Sequence, residues 1–172
     1  FPSIALNTNT NVDITDVSML SPDTAVMTLK NGNCLRTFDG GLTWNTSVTG
    51  ATPGVDTLMS CDLFPNKWRI VGSNGLIKES TDNGQSWIQM LSPTSQRMYG
   101  VATFDNNKAF AVGDAGVILN YDGTNWVQQT TGVSARFWDV AVDKSTSTPQ
   151  AYAVGSGGTI FKYDGTNWSP QN

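Results

Sequence analysis

The side chains able to do chemistry in this 172-residue chain make a short inventory. There is no histidine, and Glu79 is the single glutamate. Arginine occurs at Arg36, Arg69, Arg97 and Arg136, and the two cysteines are Cys34 and Cys61. Without imidazole there is no Ser-His-Asp relay, no His-ligated metal and no group that titrates near neutrality unperturbed. A glycosidase needs two carboxyl groups roughly 5–10 Å apart. The candidates Asp13, Asp16, Asp56, Asp114 and Asp139 show no spacing that singles out a pair. Two cysteines make neither a disulfide framework nor a metal cage. No catalytic residue, metal or cofactor is expected, and recognition remains. Guanidinium forks bind carboxylates in bidentate fashion, and aromatic faces stack on ligands.

Which of these groups meet is decided by a repeat. Four segments carry Asp, Gly and Trp in that order: Thr37–Trp44, Ser80–Trp87, Asn120–Trp126 and Lys162–Trp168. Their tryptophans lie 43, 39 and 42 residues apart. A period of about 40 residues over a whole chain marks a repeat architecture. Each unit opens with an alternating apolar stretch: 15–20, 58–63, 99–104 and 138–142. A second short strand follows (25–29, 68–72, 109–113, 152–155), then a turn at Asn31-Gly32, Asn74-Gly75, Ala115-Gly116 or Gly157-Gly158. A third strand runs into the Asp turn, and the Trp opens a fourth. Period-2 alternation punctuated by Gly turns predicts hairpins, and no 3.6-residue stripe competes. Four antiparallel strands in about 40 residues make one blade of a β-propeller. The fold expected is therefore all-β, one propeller domain over 1–172, with units of about 12–52, 53–94, 95–132 and 133–172. Within the segment 1–11, Phe1–Leu6 is expected to add a strand to the last blade, closing a four-bladed monomeric ring and removing exposed edges. An excised piece of a larger propeller and a ring completed by two chains are the alternatives.

On this alignment Ser18, Cys61, Ala102 and Ala141 share one innermost position, where small side chains relieve crowding at the axis. Cys34 aligns with Ile77, Ile118 and Ile160 and reads as core; a Cys34–Cys61 bridge between adjoining blades stays open. Loops before the first strands and turns between second and third strands converge on one face, where function usually resides. There Asp13, Asp56, Arg97 and Arg136 are expected to be equivalent, as are Tyr99 and Trp138. The turns bring Asn31, Asn74, Asp114 and Ser156 to the same end. This rim is the expected ligand-binding surface, with Arg97 and Arg136 as donors and Tyr99 or Trp138 as a stacking platform.

The first two Asp segments resemble the Asp-box, or bacterial neuraminidase repeat. Thr37, Asp39, Gly41, Thr43 and Trp44 fit its pattern, as do Ser80, Asp82, Gly84, Ser86 and Trp87. The third and fourth copies are one residue shorter (Tyr121–Trp126 and Tyr163–Trp168). The frame Ala-Val-Gly-x-x-Gly-x-Ile from Ala111 or Ala153 is similar to the propellers of photosystem II assembly factors, and sortilin-type receptors share the box. The resemblance implies a propeller in which the boxes lie on outer turns away from the binding face. Asp39, Asp82, Asp122 and Asp164 are then turn formers, and Trp44, Trp87, Trp126 and Trp168 pack between blades. It also implies what a sialidase would need: three clustered arginines and a Tyr-Glu pair. Among the arginines only Arg97 and Arg136 align, and Glu79 lies beside a box.

Composition narrows the partner. Charged residues make up 14% of the chain, and the net charge is −4. That balance argues against nucleic acid, which requires a basic face. No apolar run is long enough to span a membrane. Low Lys and Glu usage, with acceptor patterns at Asn45-Thr46-Ser47 and Asn167-Trp168-Ser169, leans toward an extracytoplasmic, secreted or surface location. The expected function is non-enzymatic recognition of a protein or peptide. A glycan-binding, lectin-like propeller and a structural domain of a larger extracellular assembly are the alternatives.

Overall fold

A computed structural model describes residue 8 and residues 10–171. Its sixteen strands form four antiparallel sheets, each in simple sequential order. The first holds β1 (Ile14–Met19), β2 (Ala25–Leu29), β3 (Cys34–Thr37) and β4 (Asn45–Ser47). The second holds β5 (Leu58–Phe64), β6 (Lys67–Gly72), β7 (Ile77–Ser80) and β8 (Ile88–Gln89). The third holds β9 (Met98–Thr103), β10 (Ala109–Gly113), β11 (Ile118–Tyr121) and β12 (Trp126–Gln129). The fourth holds β13 (Phe137–Asp143), β14 (Gln150–Gly155), β15 (Ile160–Tyr163) and β16 (Trp168–Pro170). This is the all-β, four-bladed architecture expected from the repeat. The first strands pack on one another in succession, β1 on β5, β5 on β9 and β9 on β13, so they are the innermost.

One short sheet cannot bury both faces alone, and here the faces are buried pairwise. The core between first and second sheets includes Val26, Cys34, Leu58, Cys61, Leu63 and Ile70. Between second and third lie Val71, Ile77, Met98, Val101, Ala111 and Leu119. Between third and fourth lie Phe110, Val112, Ile118, Phe137, Ala153 and Phe161. Four sheets joined by three cores form an arc. The expected ring closure is not seen among the described residues, where no core joins the fourth sheet to the first. The ring-closing strand expected at Phe1–Leu6 lies outside the described residues.

Polar groups reinforce the succession at the inner strands. The Asp16 carboxylate accepts hydrogen bonds from Ser60 Oγ (2.8 Å) and Cys61 N (2.9 Å). Asp62 accepts from Thr103 N at 2.6 Å. The pairing register also corrects one alignment. Ser18, Ala102 and Ala141 do share a position, pairing with Val26, Phe110 and Tyr152, but their counterpart in β5 is Asp62, paired with Arg69. Cys61 is one residue away, buried against the first sheet, and both cysteines are free thiols.

The Asp segments form tight turns before the fourth strands. Asp39 accepts from Thr43 N (2.9 Å), Thr43 Oγ1 (2.6 Å) and Thr37 Oγ1 (2.7 Å), and Thr37 Oγ1 accepts from Gly41 N. Asp82 repeats the pattern with Ser80, Gly84 and Ser86. Asp122 and Asp164 accept from the two backbone N–H groups at Thr124 and Asn125, and at Thr166 and Asn167. Three of the following tryptophans reach the preceding sheet. Trp87 Nε1 donates to Ser47 Oγ at 2.8 Å, Trp168 Nε1 to Asn120 Oδ1 at 2.9 Å, and Trp126 packs into the second-to-third core.

Candidate functional site

The rim is built by one backbone device repeated four times. The residue opening each turn between second and third strands donates its N–H to the carbonyl just before the first strand of its own sheet. These bonds are Lys30 to Asp13 (3.0 Å), Ser73 to Thr57 (2.9 Å), Asp114 to Arg97 (2.9 Å) and Ser156 to Arg136 (2.8 Å). The turns then cross over: Gly75 N donates to Gln96 O and Gly116 N to Ala135 O, pinning the loop that enters the next sheet. Their middle residues, Asn74, Ala115 and Gly157, adopt left-handed φ of 57°, 56° and 66°.

Asp13, Arg97 and Arg136 therefore occupy one structural position, and their fourth partner is Thr57. Asp56, expected there, sits one residue earlier, where its carboxylate accepts from Thr52 N at 2.8 Å and closes its own loop. Asn31 likewise serves its turn, accepting from Asn33 N, and Asn74 is the left-handed turn residue. Asp13 is exposed and ion-paired to Lys30 at 3.1 Å.

The third and fourth sheets carry the most organised part of the rim. The Tyr99 and Trp138 rings meet edge to face with centroids 5.3 Å apart. The Arg136 guanidinium carbon lies 5.1 Å from the Tyr99 centroid and 4.8 Å from that of Trp138, and Asp114 takes its Nε–H. This contact with Asp114 raises the guanidinium's already high pKa. Two aromatic faces and a carboxylate thus hold one fork of a partly exposed guanidinium, leaving other N–H donors for a ligand. Arg97 is exposed and makes no side-chain hydrogen bond or ion pair among the described residues. It borders a cleft of about 570 Å³ that runs past Thr57 and Met59 to Asp13 and Lys30.

Two charged clusters that sequence reasoning passed over are structural. Glu79 is ion-paired to Arg69 (3.2 Å) and Lys67 (3.2 Å), and Arg69 also donates to Thr103 Oγ1 and Asn106 O. Arg69 lies under the Tyr121 ring at 4.8 Å, at the second-to-third interface. Asp62 is reached by Lys144 at 3.4 Å, and burial raises the Asp62 carboxyl above the usual range. An apolar strand position that holds Arg opposite Glu in adjacent strands was the available signal: Arg69 pairs directly with Glu79. No cluster of three or more metal-ligating side chains occurs among the described residues.

No family profile matches the chain. It is similar to the photosystem II assembly lipoprotein Ycf48 of Synechococcus sp. (strain CC9902), 25% identical over 144 residues, 81% of this chain and 43% of that one. Among solved structures it resembles Ycf48 bound to D1 peptide, with a TM-score of 0.74 and 23% identity over 99% of this chain and 58% of that one. It also resembles the computationally designed Ika4 protein, with a TM-score of 0.71 and 11% identity over 90% of this chain and 92% of that one. An ancestral GH74 enzyme superposes with a TM-score of 0.71 and 18% identity, 95% of this chain covering 24% of the enzyme. The chain thus spans less than half of the curated relative and somewhat over half of the solved Ycf48. These likenesses agree on the propeller fold.

Proposed function

We propose that this chain is a non-enzymatic recognition propeller whose rim binds a peptide or protein segment bearing carboxylates. The observation carrying the reading is the Arg136 guanidinium, held between Tyr99 and Trp138 by Asp114, with Arg97, which has no ion-pair partner among the described residues, at the equivalent place in the neighbouring sheet. A fork whose orientation is fixed beforehand loses less entropy on binding than a free side chain. The open cleft bordered by Arg97, which runs past Thr57 and Met59 to Asp13 and Lys30, offers room for an extended chain. The Ycf48 solved with D1 peptide adds a peptide-binding precedent on a similar arc, and the lipoprotein relative favours an extracytoplasmic setting. Catalysis finds no support in the residues: Glu79 is committed to two cations, and Asp16 and Asp62 are committed to backbone and side-chain donors. For a glycan, the guanidinium already occupies a position over both rings, which disfavours sugar stacking at that place.

Titration calorimetry against synthetic peptides, matched in length and differing in acidic content, tests the proposal. Acidic peptides are expected to bind best, and affinity to fall with added salt. Arg97→Ala and Arg136→Ala are each expected to weaken binding about tenfold, or about 1.4 kcal/mol. Trp138→Ala, which frees the Arg136 side chain, is expected to do the same with little change in thermal stability. Equal binding of neutral and acidic peptides, or unaltered affinity in both arginine variants, rules the reading out.

A further inference from the structure

Every first strand opens with a β-bulge. The pairing register skips one residue between Ile14 and Asp16, between Leu58 and Ser60, between Met98 and Gly100, and between Phe137 and Asp139. The skipped residues are Thr15, Met59, Tyr99 and Trp138. A bulge re-aims a side chain and is common beside functional sites. Here Tyr99 and Trp138 meet at the Arg136 guanidinium, while Thr15 and Met59 line the cleft of about 570 Å³. The bulges thus lay one track across the rim, aromatic at the third and fourth sheets and a thioether at the second. What flanks the second bulge explains why the cleft opens there. At the two rim positions joined by the repeated backbone bond, the first sheet carries Asp13 and Lys30, the third Arg97 and Asp114, and the fourth Arg136 and Ser156. The second carries Thr57 and Ser73, and the Ser73 hydroxyl is drawn in to accept from Thr57 N at 2.9 Å. Neither position holds a long side chain that could cover Met59.

We propose that this gap is a subsite for an apolar side chain, and that the segment bound on the rim carries Leu, Ile, Val, Met or Phe close to its carboxylates. The inference rests on the acidic-peptide reading above and adds a second determinant to it. Met59, partly exposed, and Ile14 give the cleft its apolar lining. A thioether on a flexible stem fits apolar groups of several shapes, which is why Met recurs at adaptable binding surfaces. The charges around the cleft decide what stands beside that group. At one end Asp13 is neutralised by Lys30 at 3.1 Å. At the other, Arg97 has no ion-pair partner among the described residues and calls for a carboxylate. Arg97 and Met59 border the same cleft, so the carboxylate and the apolar side chain are near neighbours in the bound segment. A cationic side chain in that place would instead meet Arg97. At Thr8 the chain leading into the first sheet lies beside Val17, Met19 and Trp44, away from this lining.

Titration calorimetry on the chain as given tests this with a scanned peptide set. Each peptide keeps one acidic pair and carries a single Leu, Ser or Lys at successive positions on either side of it. At one position or more, Leu is expected to bind about tenfold tighter than Ser, and Lys no better than Ser. Met59→Thr has a precedent in Thr15 at the equivalent bulge. It is expected to cut the Leu preference to within about twofold and to leave the Ser peptides unaffected. Thr57→Arg has precedents in Arg97 and Arg136, and is expected to cover Met59 and abolish the preference while acidic peptides still bind. Met59→Gln serves if Met59→Thr fails to fold, judged by circular dichroism. Acidic peptides that bind with no Leu preference at any position overturn the subsite and leave the acidic-peptide reading standing. A Leu preference that survives both variants overturns it too, as does a gain from Lys, which would assign the cleft to Asp13. Equal binding of neutral and acidic peptides, or no binding of either, removes both.

Discussion

At the scale of single residues, the buried charges and the exposed turn carboxylates make opposite demands. Arg69 and Glu79 are taken from water together, and their pairing and hydrogen bonds offset the desolvation. Removing one partner strands the other: Arg69→Ala is expected to destabilise the fold by about 3–5 kcal/mol, while the double change Arg69→Met with Glu79→Leu recovers most of it. Urea unfolding monitored by tryptophan fluorescence reads both. The Asp turns behave differently because they are exposed. Hydrogen bonds from Thr43 and Thr37 lower the Asp39 carboxyl to about 2, and those from Ser86 and Ser80 lower Asp82 further. A carboxyl whose folded pKa is depressed contributes stability that is present above its unfolded value, near 3.9, and is lost as pH falls toward the folded one. Asp62, raised by burial, works in the other direction and favours the fold as pH falls. Thermal midpoints are therefore expected to hold down to about pH 4 and then fall toward pH 2. The double variant Asp39→Asn, Asp82→Asn is expected to start lower and show a shallower acid slope. An unchanged slope would remove the turns from the acid response.

At the scale of elements, glycines decide how closely a rim turn approaches the next loop. A Cβ on Gly116 would overlap the Val133 carbonyl oxygen, whereas one on Gly157 meets nothing within 4 Å. Both residues have positive φ, and Ala115, equivalent to Gly157, already tolerates that conformation. Gly116→Ala is thus expected to cost more than the roughly 1–2 kcal/mol of left-handed strain alone, and Gly157→Ala no more than about that amount. Thermal denaturation of the pair orders them. The same level shows what the sequence made legible. Strand number, strand order, the Asp turns and the equivalence of Tyr99 and Trp138 were all readable from period-2 patterns punctuated by Gly and Trp. The register of β5 was not. Cys61 is small and its neighbour Asp62 is charged, so matching small side chains at the axis selected Cys61 where the register places Asp62. That choice displaced Asp56 onto the position that Thr57 occupies. The guanidinium between two rings was also out of reach, since it depends on side-chain directions across two sheets. Ring closure failed to be legible for a further reason: identical repeats specify how neighbours meet and not how many complete the circle.

At the scale of the whole molecule, cohesion is a chain of nearest-neighbour interfaces, so stability should be graded along the arc. Among the described residues the second and third sheets are covered on both faces, and the first and fourth on one. Amide hydrogen exchange is expected to protect β6 and β10 most. The strands β2 and β14, at equivalent places in the end sheets, are expected to exchange faster because opening an end sheet breaks one core and opening an inner sheet breaks two. A single level across all sixteen strands would contradict the nearest-neighbour account.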